Sequence, residues 1–250
     1  MTTAVAQQPM RSPRIVDSED DSHLRPWEKI SYGLGDFACG LSWNAVGAFL
    51  LYFYTNVALL PAAAVGTLFL LSRLFDAGID LGVGILVDRT RTRWGRTRPY
   101  FLFTALPFSI LLVLTFTTID GSTGAKLAYA YVTFSLLGIL YSFLAVPFSA
   151  LMPMMTNDHG SRMQLGSARA IGTSVSVILA TAATMPLVGL LGGGNERLGF
   201  ALVALLFAVL TLAALFNLFV SCRERHHDEA PAGGAIWPHV GAMVRNRAWL

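Results

Sequence analysis

Apolar residues run along this chain in six long blocks separated by short polar segments. The blocks cover approximately 30–56, 62–87, 99–119, 126–153, 165–191 and 198–221. Each is long enough to cross roughly 30 Å of hydrocarbon as a helix. None carries the continuous polar face of a soluble amphipathic helix. The pattern therefore predicts an all-α membrane protein with six transmembrane helices. Residues 1–29 are polar, with an acidic run at 17–21, and predict a disordered cytoplasmic tail. Residues 222–250 predict a cytoplasmic linker leading to a second bundle that this chain does not contain.

Composition supports lipid as the solvent: 54% of residues are hydrophobic and 13% charged, against about 25% charged in soluble domains. Charge also fixes an expected orientation. Of the 18 lysines and arginines, fourteen lie in the two tails and in the segments 88–98 and 156–162. Only Lys126 and Arg197 lie in the opposite turns, and Arg73 and Arg169 lie inside the spans. The positive-inside rule then predicts cytoplasmic amino and carboxyl termini in the cell (plasma or inner) membrane. Those loops account for the small positive net charge, so nucleic acid is not expected as a partner. Trp27 and Tyr32 before and within the first span, and Tyr52, Phe53 and Tyr54 at its end, are expected as interfacial anchors. Cys39 and Cys222 fit no metal or redox spacing, and the five histidines lie in the tails or near the surface. No nucleophile–base pair or phosphate loop is recognisable, so neither an enzyme nor a cofactor is expected.

Five ionisable residues lie deep in the spans: Asp36, Arg73, Asp76, Asp80 and Arg169. A charge near the bilayer centre costs at least about 2.5–3.5 kcal/mol, so each needs a partner or a function. Arg73, Asp76 and Asp80 are spaced three and then four apart, which stacks them on one helical face. At 1.5 Å per residue, all five fall in one layer of the membrane, and a shared cavity between helices 1, 2 and 5 is expected. Three carboxylates against two guanidiniums leave one negative charge, suited to a proton or a hard monovalent cation such as sodium. The alternative for Arg73 is a structural ion pair.

The stretch "KISYGLGDFACGLSWNAVGAFLLYF" (29–53), followed by "VGTLFLLSRLFDAGID" and "DRTRTRWGRTRPY", resembles the glycoside–pentoside–hexuronide:cation symporters. These are the melibiose-permease-like branch of the major facilitator superfamily. "VPFSALMP", "QLGSARAIG" and "LLGGGNERLGF" extend the likeness in register from 29 to 250. The resemblance implies the amino-terminal six-helix bundle, two three-helix repeats, of a cation-coupled sugar or glycoside symporter. It implies that Asp76 and Asp80, with Ser142, bind the coupling cation, H+ or Na+. Asp36 and Arg169 would meet sugar hydroxyls, and Trp43, two turns beyond Asp36, would line the sugar pocket. Three positions depart from melibiose permease: Ala145 replaces an aspartate shared by cation and sugar, Ser149 a tryptophan, and Gly35 a lysine. The missing carboxylate weakens the expectation of sodium, leaves proton coupling open and argues against melibiose itself.

The segment 84–99 resembles the superfamily's gating loop, with Asp88, Arg89, Arg93 and Arg96 holding one side shut through ion pairs. Gly33, Gly40, Gly47, Gly78, Gly82, Gly84 and Gly172 suit close helix packing. Pro147 and Pro186 interrupt the backbone ladders of helices 4 and 5. The expected partners are a sugar or glycoside, the lipid bilayer, and either a missing carboxy-terminal half or a second copy of the chain. Other readings are a sodium-linked lysolipid carrier and a non-transporting membrane sensor or assembly subunit. The orientation is testable with single cysteines in a background lacking Cys39 and Cys222. Cysteines at Ser122 or Asn195 are expected to react with an impermeant thiol reagent from outside, and one at Thr97 to be protected. The reverse pattern overturns the orientation.

Overall fold

The computed structural model describes residues 24–225, and most of the expected tail and linker lies outside them. Six α-helices fill the described residues: α1 Pro26–Tyr52, α2 Ala62–Arg89, α3 Arg98–Thr115, α4 Thr123–Met155, α5 His159–Gly192 and α6 Glu196–Ser221. A wider π-helical turn, Phe53–Val57, extends α1. Five of these helices, all but α2, are long and apolar enough to cross a membrane. The second helix is as long, but Arg73, Asp76 and Asp80 interrupt its apolar run.

Helix ends follow local chemistry rather than hydropathy. The fifth helix starts six residues before its expected boundary because the Asp158 carboxylate accepts the Ser161 N–H at 2.7 Å, an N-cap that satisfies one of the free amides there. The third stops at Thr115, four residues early, where Phe116 turns inward to stack on Phe200 at 5.8 Å. Phe53 meets both of these rings edge-on. Phe53, Tyr54 and Tyr32 are therefore buried, which corrects the expectation that they anchor the membrane interface. Tyr32 instead stacks on Phe148 at 4.6 Å. Trp27 does remain exposed, its indole N–H donating to Ser221 at 3.0 Å.

The helix pairings contain an internal exchange. The first helix packs on α5 and α6 as α4 packs on α2 and α3, and α3 meets α6 between them. Exchanging α1 with α4, α2 with α5 and α3 with α6 maps these contacts onto one another, which is the signature of two three-helix units. The exchange fails at one place: α5 and α6 pack closely, whereas α2 and α3 scarcely approach.

The tightest pairing, α1 with α5, rests on absent side chains. A Cβ at Gly172 would sit 2.4 Å from the Gly33 carbonyl oxygen, and one at Gly33 would lie 2.9 Å from the Ala168 carbonyl oxygen. One at Gly40 would crowd the Ser176 hydroxyl at 2.6 Å. Of the small residues singled out for packing, Gly47, Gly78, Gly82 and Gly84 face open space instead. Polar groups tie α1 to α6: Ser42 and Thr211 share a 2.7 Å hydrogen bond, and Thr211 also donates to the Ala38 carbonyl at 2.9 Å.

Thr97 is fully buried, so a cysteine there is shielded on either side of a membrane. Exposed Arg91 is the better reporter of sidedness for the same loop. Packing makes a second forecast. Gly172→Ala should lower stability by about 1–3 kcal/mol through overpacking, whereas Gly47→Ala should leave it unchanged or slightly raised. Thermal unfolding of the purified protein in detergent checks the pair. Equal midpoints would show that the α1–α5 contact is not close.

Candidate functional site

Side chains spaced three or four residues apart share one face of a helix. On α2, Arg73, Asp76 and Asp80 share the face turned to α4. With Ser142, Ala145 and Ser149 of α4 and Trp43 of α1, they line a cavity of about 340 Å³. Arg73 Nη1 lies 4.0 Å from Asp76 Oδ2, with side-chain exposures of 72% and 25%. That contact is at the outer limit of an ion pair, and among the described residues Asp80 makes none. A Cβ at Gly138 would lie 3.1 Å from Asp76 Oδ1, so the glycine leaves room for the carboxylate to approach α4. Ser142 is buried beside them.

Asp36 and Arg169 occupy a separate cavity of about 190 Å³ between α1, α4 and α5. Arg169 Nε meets Asp36 Oδ1 at 3.3 Å. Thr173 donates a short hydrogen bond to the other carboxylate oxygen, and the guanidinium lies 5.3 Å from the centre of the Phe148 ring. Each charge is thus met within the protein, the carboxylate mostly covered and the guanidinium partly exposed. The single shared cavity expected from depth alone is corrected: three of the five charges line one cavity and two the other.

Trp43 and Tyr141 stand between the two spaces. Their rings stack at 4.0 Å between centroids and 5° between planes, and both line each cavity, as does Ala145. Because α1 and α4 share few close backbone approaches, this ring pair joins them across the interior. Gly35 lines neither cavity. A side chain there would meet Leu218 and Phe148 at 3.2 Å, so the position is filled by packing against α4 and α6.

The loop between α2 and α3 is fastened to the bundle. Arg96 donates to the Asp88 carboxylate at 3.0 Å and to the Asp88 carbonyl at 2.8 Å. Glu224 is a central acceptor: its carboxylate takes the N–H groups of Arg96 and Thr97 at 2.8 Å each and the Thr97 hydroxyl at 2.7 Å. A carboxylate at the start of α3 also complements the helix dipole. Gly95 adopts φ +109°, and a Cβ there would lie 2.5 Å from the Glu224 carboxyl carbon. Arg225 completes the fastening, donating to both oxygens of buried Glu28 at 2.9 and 3.1 Å. Beside it, burial and the Glu28 charge push the Cys222 thiol up to about 12. Of the expected gating set, only Asp88 and Arg96 pair with each other. Arg93 lies over the Trp94 ring at 4.7 Å, and Arg89 is exposed.

Sequence reading missed Thr173, Tyr141 and Glu224. The first two lie one helical turn from Arg169 and Ala145, a spacing that could have flagged them. Glu224 gives no such signal, because its partner is a loop far away in the chain.

Residues 31–250 match the family model described as MFS/sugar transport protein. The chain belongs to that family of transporters. Its helices therefore sit in a membrane, and the resemblance to glycoside/cation symporters holds. The isoprimeverose transporter of Lactiplantibacillus pentosus is 40% identical, over 91% of this chain and 48% of its own length. The putative glycoside/cation symporter YagG of Escherichia coli is 39% identical, over 89% and 48%. The inner membrane symporter YicJ of the same species is 42% identical, over 82% and 44%. The chain thus spans about half the length of these relatives.

Proposed function

We propose that this bundle is the amino-terminal half of a cation-coupled symporter for a sugar or glycoside. Asp76 and Asp80, with the Ser142 hydroxyl, hold the coupling cation, H+ or Na+. Asp36 and Arg169 bind sugar hydroxyls, with Trp43 as the apolar wall for the ring. The observation that carries the reading is the Trp43–Tyr141 stack: one aromatic pair borders both the acidic cavity and the Asp36–Arg169 cavity. A cation entering the first changes the charge on the other side of this ring pair from the second, and the change is felt more strongly there than across bulk water. The names of the relatives favour sugar over a lysolipid or a sensor role.

Both termini face the cytoplasm in this reading, and the 88–98 loop belongs to a cytoplasmic gate. Asp88–Arg96 and Glu224 hold that loop as part of the bundle, so it moves with the bundle when the two halves rock. Sugar binds between this half and a second six-helix unit, which agrees with the length of the relatives. With Ala145 where melibiose permease has a carboxylate, the cation site keeps two carboxylates, and sodium is held less firmly than in that protein.

Substitution in the full-length protein separates the roles. Asp76→Asn or Asp80→Asn is expected to abolish accumulation of sugar against its gradient while downhill exchange continues. Asp36→Asn is expected to lose sugar affinity and keep cation binding. Ala145→Asp is expected to strengthen dependence on sodium. Uptake and counterflow in vesicles measure all four. Unchanged cation dependence in both helix 2 variants would refute the assignment, as would a uniform loss of folded protein.

A further inference from the structure

The place where the two-unit exchange fails is an open cleft. Its counterpart is filled by the contact of α5 with α6, whereas α2 and α3 scarcely meet, and a cleft of about 460 Å³ lies between α3, α4 and the turn that follows α2. The floor and walls are apolar: Phe103 and Pro107 of α3, and Leu140 and Phe143 of α4. From Pro99 to Pro107 the cleft follows α3 for about 12 Å at 1.5 Å per residue. Phe103, on its wall, is 65% exposed.

The mouth has a different character. Thr90 and Thr92 line it, and the Thr90 hydroxyl is hydrogen-bonded to that of Tyr100. Arg89, Arg91 and Arg93 flank these threonines, and all three are exposed. Their neighbouring carboxylates are engaged elsewhere, Asp88 by Arg96 and Glu224 by the start of α3. No ion pair forms with any of the three among the described residues. An apolar slot whose mouth is formed by a turn bearing three exposed arginines without a carboxylate partner among the described residues matches a molecule with a hydrocarbon chain and an anionic head.

We propose that this cleft, bounded by α3, α4 and the turn after α2, binds an anionic phospholipid. One acyl chain lies against Phe103, Leu140 and Phe143, and the phosphate sits among Arg89, Arg91 and Arg93. Guanidinium matches phosphate geometry through paired N–H donors, and clustered basic residues beside a transmembrane helix attract acidic lipid.

Trp94 is a built-in probe, since its ring lies 6.1 Å from Phe103. The full-length protein in detergent is titrated with phosphatidylglycerol brominated on its acyl chains, and separately with phosphatidylcholine brominated in the same way. Quenching present in the wild type and lost in Trp94→Phe reports the cleft. The proposal expects half-quenching at a concentration at least about tenfold lower for the anionic lipid. It expects that advantage to fall by up to about fivefold for each of Arg89→Gln, Arg91→Gln and Arg93→Gln. These side chains are exposed, and thermal unfolding verifies that the variants remain folded. Equal quenching by both lipids overturns the proposal, as does an anionic preference that survives loss of all three arginines. Absence of Trp94-dependent quenching, as when an acidic segment of the second bundle fills the cleft, overturns it as well.

Discussion

A charge taken into hydrocarbon without compensation is too costly to keep, and the interior of this bundle is arranged around that constraint. Asp36 and Arg169 meet it within the protein, where guanidinium, hydroxyl and carboxylate satisfy one another across α1 and α5. That meeting requires the two helices to lie very close, which Gly33 and Gly172 permit by presenting no side chain. Asp76 and Asp80 meet the constraint differently. Arg73 stands too far away and too exposed to neutralise both, so their cavity keeps an excess of negative charge. One pair is complete, and the other cluster is only partly neutralised.

In the function proposed above, this asymmetry gives the chemistry its direction. A self-satisfied ion pair exchanges its hydrogen bonds readily for those of sugar hydroxyls, because both sets are polar and neutral overall. An undercompensated acidic cluster takes up a cation or a proton to lower its own electrostatic energy. On that proposal the Trp43–Tyr141 stack keeps the two tasks apart while leaving them adjacent. Coupling in such an arrangement needs no long pathway through the protein. Local field and shared packing at Ala145, Trp43 and Tyr141 suffice.

Much of this was legible in the sequence. Hydropathy located six helices, and the three- and four-residue spacing of Arg73, Asp76 and Asp80 gave their common face, because both follow from the period of a helix. Lateral position was not legible: five charges at one depth looked like one cavity, since nothing in a linear chain states that α2 packs on α4 and α5 on α1. Phe53 and Tyr54 were misjudged for a related reason. An aromatic residue at a helix end suits either the interface or a buried cluster, and only the neighbouring Phe116 and Phe200 decide. Glu224 was invisible because a carboxylate that caps a distant helix looks like any other charge in a polar linker.

Thermodynamic linkage gives the most direct test of the central claim, that the acidic cavity and the Asp36–Arg169 cavity communicate across the Trp43–Tyr141 wall. In the full-length protein, sugar affinity is measured by calorimetry at a series of cation concentrations, and cation affinity at a series of sugar concentrations. The account predicts that saturating cation tightens sugar binding by a factor of about 5–150, and that sugar tightens cation binding by the same factor. A sugar affinity that does not change between zero and saturating cation would contradict it.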